Sequence, residues 1–328
     1  MKTVFWMVAT VVLLSACKDS IPDSGVELVY RVRAEQKTTR VLLEKTRAVL
    51  ARRLEAMELP GASVGLDEDR NLIWVRIPGG KRLGRVKGVC AQGGELLFAE
   101  VDDLITGFLA KLTGGAPVKG QKEGDMALPP GVRIESETLF NGARVFYLTA
   151  ATRVALQEGI RVVSARVPSG RKLLPSREVR ARDEERWRTY LIKDKAWPAG
   201  EYIENVEIFE GEITTFESKF KAKPQVQIEF SDKGKKEFGE LTGRLVKQRM
   251  AIVLDGCVNS APVVQESITG GRAGITMGGP AANRDTMRRQ AEILAVTLGA
   301  GALPAPLELV KERHFGARIS GGNGASGR

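Results

Sequence analysis

Residues 225–264 read QVQIEFSDKGKKEFGELTGRLVKQRMAIVLDGCVNSAPVV, and this stretch decides the fold class. Residues 225–230 alternate apolar and polar side chains, which predicts a strand with one buried face. Ser231 can cap a following helix whose apolar residues, Phe238 and Leu241 among them, share one side. The pair Asp255-Gly256 then predicts a tight hairpin between two further strands. Strands interleaved with helices predict an α+β fold.

The amino-terminal part of the chain shows a related pattern. It predicts strands over residues 27–32, 72–77 and 95–101, with helices over residues 38–57 and 83–89 between them. This order is most of β-α-β-β-α-β, the ferredoxin-like arrangement in which helices cover one face of a sheet.

The middle of the chain changes in composition. Glycines and prolines between residues 104 and 131 indicate a long connection. Residues 144–148 and 160–167 look β-like, a final helix is predicted over 285–298, and a last strand over 307–310. A long inserted region therefore separates the early elements from that last strand.

The first seventeen residues indicate export. Lys2 precedes an apolar run that ends in Leu14-Ser15-Ala16-Cys17. These four residues resemble the bacterial lipobox, in which the cysteine becomes the lipidated first residue of the mature protein. We expect residues 1–16 to be a lipoprotein signal peptide and Cys17 the lipidation site, with a plain signal peptide as the alternative. This predicts a lipid-anchored protein on the periplasmic face of the bacterial cell envelope, in either the inner or the outer membrane.

Composition and charge exclude several protein classes. An apolar fraction of 43% with 27% charged residues excludes disorder of the whole chain. The absence of an interior apolar run of about 18 residues excludes a polytopic membrane protein. The net charge of +10 raises nucleic acid as a partner, but export argues against it. Since residues 31–87 carry most of the excess positive charge, we hypothesise that this region faces an anionic lipid surface.

An acidic stretch offsets that charge. Residues 201–217 contain six glutamates and no lysine or arginine. The stretch is either a solvated face or a docking surface for a basic partner segment. In the second case Glu204, Glu207 and Glu210 are the candidate contacts.

No catalytic constellation is visible in the sequence. His314 is the only histidine, and no metalloprotease, phosphate-loop or dinucleotide motif occurs. Cys90 and Cys257 could form a disulfide or remain two thiols. We therefore predict no cofactor, no metal site and no enzymatic activity; a hydrolase that uses His314 is the least favoured alternative.

Residues 225–316 carry a family resemblance. The strongest pieces are residues 251–256 (AIVLDG), 260–263 (SAPV), 268–271 (ITGG) and 301–307 (GALPAPL). In this order and spacing they resemble the first periplasmic domain of SecD and SecDF, accessory subunits of the bacterial Sec protein-export machine. The resemblance is fainter upstream and poor over residues 104–170.

The resemblance implies a ferredoxin-like base subdomain with an inserted α+β head subdomain. Gly301, Pro304 and Pro306 would form the hinge between them, because proline restricts its own backbone and that of its neighbour. The implied divisions are a tether at 17–26, the base at 27–103 plus 302–319, a poorly matched insert at 104–170, the head at 171–301 and a flexible tail at 320–328.

The family also implies a function. We expect a membrane-tethered module that assists translocation by binding emerging polypeptide or Sec translocase membrane subunits, with Val226, Ile228, Phe230 and the three glutamates as candidate contacts. The alternative is an envelope scaffold or chaperone that uses the fold outside the Sec system. We expect this chain to lack the transmembrane bundle that follows this domain in the family, and a proton-driven cycle would then need a membrane partner.

Overall fold

The structure is a computed structural model and describes most of the chain after residue 23. The predicted signal peptide, Cys17, most of the predicted tether and the predicted tail lie outside the described residues. The described ranges are 24–33, 39–80, 82–113, 128–139, 141–179, 185–214, 219–221, 223–276 and 283–316.

The base has the predicted ferredoxin-like topology. Its sheet has the antiparallel order β16-β1-β3-β2, and two helices cover one face of that sheet. The last strand in the chain thus lies beside the first, and everything between α2 and β16 is inserted. The elements are β1 (Ser24–Val32), α1 (Arg40–Ala56), β2 (Ser63–Asp67), β3 (Leu72–Pro78), α2 (Leu83–Ala91) and β16 (Leu307–Gly316).

Local sequence explains how the base forms. The Thr39 hydroxyl accepts the Leu42 backbone N–H at 3.2 Å and caps α1, as threonine does at many helix starts. Leu43, Leu50 and Leu54 are spaced seven and four residues apart, so one stripe of α1 is apolar. These leucines pack on alternate residues of the central strands, and each has less than 5% of its surface exposed.

The strand predicted over residues 95–101 forms, but the prediction that it belongs to the base sheet is wrong. It is β4 (Leu96–Glu100), and it pairs antiparallel with β13 (Met250–Leu254). The physical reason lies in its burial. Phe98 faces one hydrophobic core and Ala99 faces another, so β4 is a central strand between two packed layers.

A separate four-stranded sheet forms what we call the lateral subdomain, residues 128–193. Its order is β5-β6-β8-β7, and α4 covers one face. The predicted boundary between insert and head at residues 170/171 therefore divides a single sheet. Helix α3 (Gly107–Ala110) precedes this range in the chain and packs into the same core through Leu109. The elements of the lateral subdomain are β5 (Arg133–Thr138), β6 (Arg144–Ala150), α4 (Arg153–Val163), β7 (Arg171–Val179) and β8 (Glu185–Lys193).

The strand expected over residues 160–167 is a helix instead. The Thr152 hydroxyl accepts the Ala155 backbone N–H at 3.2 Å and starts α4. Leu156, Ile160 and Val163 are spaced four and three residues apart, the helical period, and they pack against the lateral sheet. β-branched residues dominated the local pattern, but tertiary packing selected the helix.

The head combines two three-stranded sheets with two helices. The sheets have the orders β15-β12-β9 and β14-β13-β4, and Asp255 and Gly256 adopt positive φ in the predicted hairpin between β13 and β14. No described helix is long and apolar enough to cross a bilayer. The remaining elements are β9 (Ile203–Phe209), β10 (Glu212–Thr214), β11 (Lys219–Lys221), β12 (Gln225–Phe230), α5 (Asp232–Arg244), β14 (Cys257–Ser260), β15 (Arg272–Thr276) and α6 (Arg284–Ala300).

Candidate functional site

Helix α6 joins the head to the base because it contributes to both cores. One of its faces packs into the head, and Ile293 and Val296 on another face pack against the base core. The base and head therefore share a helix. The side chains that face the head are Met287, Ala291, Leu294 and Leu298.

The contact between α6 and α2 is close. Gly88 lies where a Cβ atom would stand 2.8 Å from Cδ1 of Ile293, so the missing side chain makes room for the isoleucine. Nearby, an amino group of Arg85 lies 2.8 Å from Oε2 of Glu292, an ion pair that joins the base to the head. The chain leaves the base for the head at residues 89–93, the outgoing crossing, and returns to the base at residues 301–306, the returning crossing. We call the contact between α2 and α6, together with these two crossings, the base–head junction.

Arg53 of α1 holds both chain crossings at the junction. Its side chain has 0% of its surface exposed, and it donates to four backbone carbonyl oxygens. Three belong to the outgoing chain: Val89 at 2.6 Å, Gln92 at 2.5 Å and Gly93 at 2.9 Å. The fourth is Gly301 of the returning chain, at 3.0 Å. Burial lowers the pKa of the Arg53 guanidinium to about 10, which leaves it charged at neutral pH.

Backbone hydrogen bonds fasten the two crossings further. The Leu303 N–H donates to the Gly93 carbonyl at 2.6 Å, and the Arg33 N–H donates to the Pro306 carbonyl at 2.8 Å. Arg52, beside Arg53 but exposed, donates through two nitrogens to the Ala300 carbonyl at 3.0 and 3.1 Å. The crossings are thus held by adjacent arginines and by each other.

The three predicted hinge residues all lie on the returning crossing. Gly301 ends α6 with φ of +88°, a conformation that favours glycine. Pro304 and Pro306 are exposed and flank Ala305, which is buried in the base core. The structure shows where the chain re-enters the base. Movement about these residues remains a prediction.

Sequence reasoning missed Arg53, although the sequence holds a signal for it. Arg53 lies three residues after Leu50 and directly before Leu54, within the apolar stripe of α1. A charged residue inside such a stripe needs partners, because an unpaired buried charge is costly. Its partners are carbonyls far away in the chain, which local patterning does not reveal.

A cavity of about 270 Å³ opens at the base–head junction. Its apolar lining comes from both sides and includes Met57 and Val89 of the base with Ile208 and Val296 of the head. Charged side chains stand around it as well. The charged lining residues are Glu58, Arg82, Arg85 and Glu292.

Strand β9 runs beside this cavity. It pairs with β12 along one edge, and no described strand pairs with its other edge. Ile208 and Phe209 near its end are 39% and 47% exposed. An apolar strand end with an unpaired edge is a surface to which an extended peptide can add.

The candidate glutamates lie on or just after β9. Glu210 forms ion pairs with Arg284 at 3.3 Å and Arg288 at 3.6 Å, both on α6. Glu207 accepts the Asn205 side-chain N–H at 2.9 Å, and Glu204 is exposed. The structure thus engages Glu210 within the head and leaves Glu204 on the surface.

The apolar candidates Val226, Ile228 and Phe230 are core residues. Their side chains are 0%, 1% and 3% exposed, and they pack with α5 and α6 in the head. The prediction that they contact a partner is therefore wrong for the folded head. Alternation along β12 identified the buried face correctly, but a face that is buried offers no binding surface.

The remaining candidates do not assemble into a reactive site. Cys90 and Cys257 are both free thiols, so the disulfide alternative is not supported. Burial raises the pKa of Cys90 to about 11, which disfavours its thiolate. His314 is exposed on β16 opposite Val26. Within the described ranges, no group of three or more histidines, cysteines or acids is placed to hold a metal.

Comparison with known proteins agrees with this architecture. The family model described as SecDF, P1 head subdomain, matches residues 175–305. Protein translocase subunit SecD of Syntrophobacter fumaroxidans is 36% identical over 159 residues, which are 48% of this chain and 27% of that protein. The SecD of Magnetococcus marinus is 28% identical over 327 residues, 96% of this chain and 49% of that protein. The resemblance to the periplasmic domain of SecD is confirmed.

A solved structure shows the same fold. The crystal structure of SecDF in its super-membrane-facing form aligns with 90% of this chain and 31% of that chain, with a TM-score of 0.52 and 20% identity. The SecD-like chain described here spans half or less of the length of the SecD proteins cited above.

Proposed function

We propose that this SecD-like chain assists protein export by binding emerging polypeptide at the base–head junction. The SecD relatives are named as protein translocase subunits, which supports a role in translocation. The observation that carries the proposal is the largely apolar cavity lined by Ile208 of β9, a strand that has one edge with no described strand partner.

The geometry supports binding by strand addition. An extended segment would pair its backbone with the free edge of β9, and this needs no particular sequence. Ile208 both lines the cavity and is exposed, so apolar side chains of the bound segment would contact it. Exposed Glu204 on the same strand would favour segments that carry lysine or arginine. This mode of binding requires no reaction chemistry, and we propose that the protein is not an enzyme.

The proposed location is the periplasmic face of the cell envelope, with a lipid anchor at Cys17. Each buried acyl CH₂ contributes about 0.8 kcal/mol, so stable anchoring takes more than one chain. The anchor would place the domain beside Sec membrane subunits, its proposed partners. A Cys17→Ser protein that partitions into membranes as the parent does would contradict lipid anchoring.

Site-specific crosslinking tests the proposal. A photoreactive residue at position 208 should capture an exported polypeptide or a Sec subunit during translocation. The control is the same residue at position 154, since Val154 is 76% exposed but lies on α4 of the lateral subdomain. Ile208→Glu should reduce capture by a neighbouring probe at 209, whereas Val154→Glu should not. Equal capture from both sites, or none from either, would contradict binding at the junction.

The alternative is an envelope scaffold or chaperone outside the Sec system. Deletion of the protein distinguishes the two functions. Slower export of Sec substrates supports the proposed function, while unchanged export with loss of one envelope complex supports the alternative.

A further inference from the structure

The base sheet has a second face that no described helix of the base covers. Helices α1 and α2 lie on one side of the sheet, and α6 of the head packs against those helices. We call the other side the open face. Strand register places directly opposed residues of an antiparallel pair on the same face, so the open face can be described row by row. Its central rows are Arg313–Glu27–Arg76–Ser63 and Lys311–Val29–Trp74–Gly65.

An aromatic and a cationic group are held together at the centre of this face. The Trp74 ring lies over Gly65, where a Cβ atom would stand only 2.0 Å from the ring, so glycine is required beneath it. The Arg76 guanidinium carbon lies 4.3 Å from the centroid of the Trp74 ring, a cation–π contact. Val29 lies between Lys311 and Trp74 in the same row, and it is only 7% exposed. The head does not cover it, because the head lies on the other side of the sheet.

Glu27 fixes two arginines side by side. Its carboxylate accepts from Arg76 Nε at 2.8 Å and from Arg313 Nε at 2.9 Å. Burial by itself would raise the pKa of Glu27, but hydrogen bonds and charge from the two arginines outweigh it, and the pKa is lowered. One carboxylate between two guanidiniums leaves a net positive charge. Each guanidinium carries five N–H donors, so the pair can still donate to an anion such as a phosphate.

The surrounding rows add cations and a second aromatic ring. Lys311 and Arg31 are exposed on the open face. The Phe315 ring covers Gly25, where a Cβ atom would lie 2.7 Å from the ring. Glu308 in the outer row pairs with Arg33 at 2.9 Å and lies opposite Arg31, so it offsets part of the positive charge at that end of the face.

The chain enters the base at one end of this face. β1 begins at Ser24, which pairs with Gly316 beside Phe315. Six residues separate Ser24 from Cys17, and a chain of that length reaches about 24 Å at full extension. A lipid anchor at Cys17 would therefore hold the open face within reach of the bilayer surface.

We propose that the open face binds an anionic phospholipid surface. Tryptophan and phenylalanine are suited to the membrane–water interface, and lysine and arginine are attracted to anionic headgroups. This inference rests on the proposed anchor at Cys17, and it names the surface that orients the domain at the membrane. The strands would then lie along the bilayer, with the head on the side away from the lipid.

Fluorescence quenching by brominated lipids tests the inference. The full chain is reconstituted through its own anchor into vesicles of phosphatidylglycerol and phosphatidylethanolamine with brominated acyl chains. The Trp74 signal is the difference between the parent and Trp74→Phe. We expect at least twofold stronger quenching of this signal than in brominated phosphatidylcholine vesicles, and loss of the difference at high salt.

Charge variants show whether this face is responsible. Arg76→Gln with Arg313→Gln should reduce the Trp74 quenching by at least half. Lys311→Gln, which removes an exposed cation without breaking a described ion pair, should reduce it with the fold intact. Arg47→Gln is the matched control, because Arg47 lies on α1 on the other side of the sheet and pairs only with Glu44 among the described residues.

Three outcomes would overturn the inference: no quenching of Trp74 in anionic vesicles, equal quenching in phosphatidylcholine, or an equal effect of Arg47→Gln. Because the assay contains no export machinery, it can fail while crosslinking from position 208 succeeds, and the reverse also holds. Flotation with phosphatidylcholine vesicles at high salt checks the anchor at Cys17 separately.

Discussion

Replacement of Arg53 by methionine tests how the base and head are joined. Methionine has a similar length and fills much of the same space, but it donates no hydrogen bond. The change leaves four backbone carbonyls without the arginine, at Val89, Gln92, Gly93 and Gly301. The Gly93 carbonyl still accepts from the backbone N–H of residue 303.

The magnitude follows from two opposing effects. A hydrogen bond from a charged donor contributes about 1.5–3 kcal/mol, and four of them are lost. Against this, the pKa of Arg53 is lowered to about 10, so burial of the charge costs roughly 3 kcal/mol, which methionine does not incur. Since the four hydrogen bonds share one donor group and are not additive, we expect Arg53→Met to lower the free energy of unfolding by about 3–5 kcal/mol.

Arg52→Met is the matched control. Arg52 is the next residue of α1, it is exposed, and both of its donor nitrogens reach the single carbonyl of Ala300. An exposed cation at a helix carboxyl end contributes about 0.3–1 kcal/mol. The two variants thus remove the same charge from neighbouring positions, with expected effects that differ about threefold or more.

Urea unfolding followed by circular dichroism measures both effects, and hydrogen exchange locates them. In Arg53→Met, amides of α2 and α6 should exchange faster than in the parent, while those of β6 and β8 should not change. If Arg53→Met destabilises the protein no more than Arg52→Met, or if exchange rises equally in the lateral subdomain, Arg53 does not join the base and head.

Three further predictions concern other positions. Gly88→Ala should be about 1–3 kcal/mol less stable in urea than Gly84→Ala, because both gain helix propensity but only the first meets a side chain of α6; equal stabilities would contradict the close contact. Glu27 has a lowered pKa when folded, so its stabilisation is present above its ordinary value of 4.5 and is lost as the pH falls; Glu27→Gln should therefore lose less stability between pH 5 and 3 than the parent does. Cys257 should react with a thiol reagent at pH 8 at least tenfold faster than Cys90, because Cys90 is buried. The Cys90→Ala variant reports the rate of Cys257, and the Cys257→Ala variant reports the rate of Cys90. Equal rates would contradict the prediction and would show that the base opens readily.

Local sequence predicted most elements of the base and head. The alternation of β12, the Ser231 cap and the Asp255-Gly256 hairpin are all present, because each depends on residues close together in the chain. The helix α4 was missed since its β-branched residues suit either structure, and packing against the lateral sheet decided between them. The partner of β4 was also missed, because strand pairing over 150 residues leaves no local trace.

The candidate site was less predictable than the fold. The sequence placed the returning crossing at Gly301–Pro306 through glycine, proline and the resemblance to SecD. It did not identify the cavity, the free edge of β9 or the open face with Trp74. Each of these depends on which distant elements are neighbours.

The sequence alone determined the α+β class, most of the ferredoxin-like order of the base and the resemblance to SecD, because periodicity, turn residues and motif spacing are local properties. Only the tertiary structure decided which apolar residues are core and which are surface. It buried Val226, Ile228 and Phe230 beneath two helices and left Ile208 exposed beside a cavity. It also buried Arg53 among carbonyls from both crossings, since burial depends on the packing of elements that are far apart in the chain.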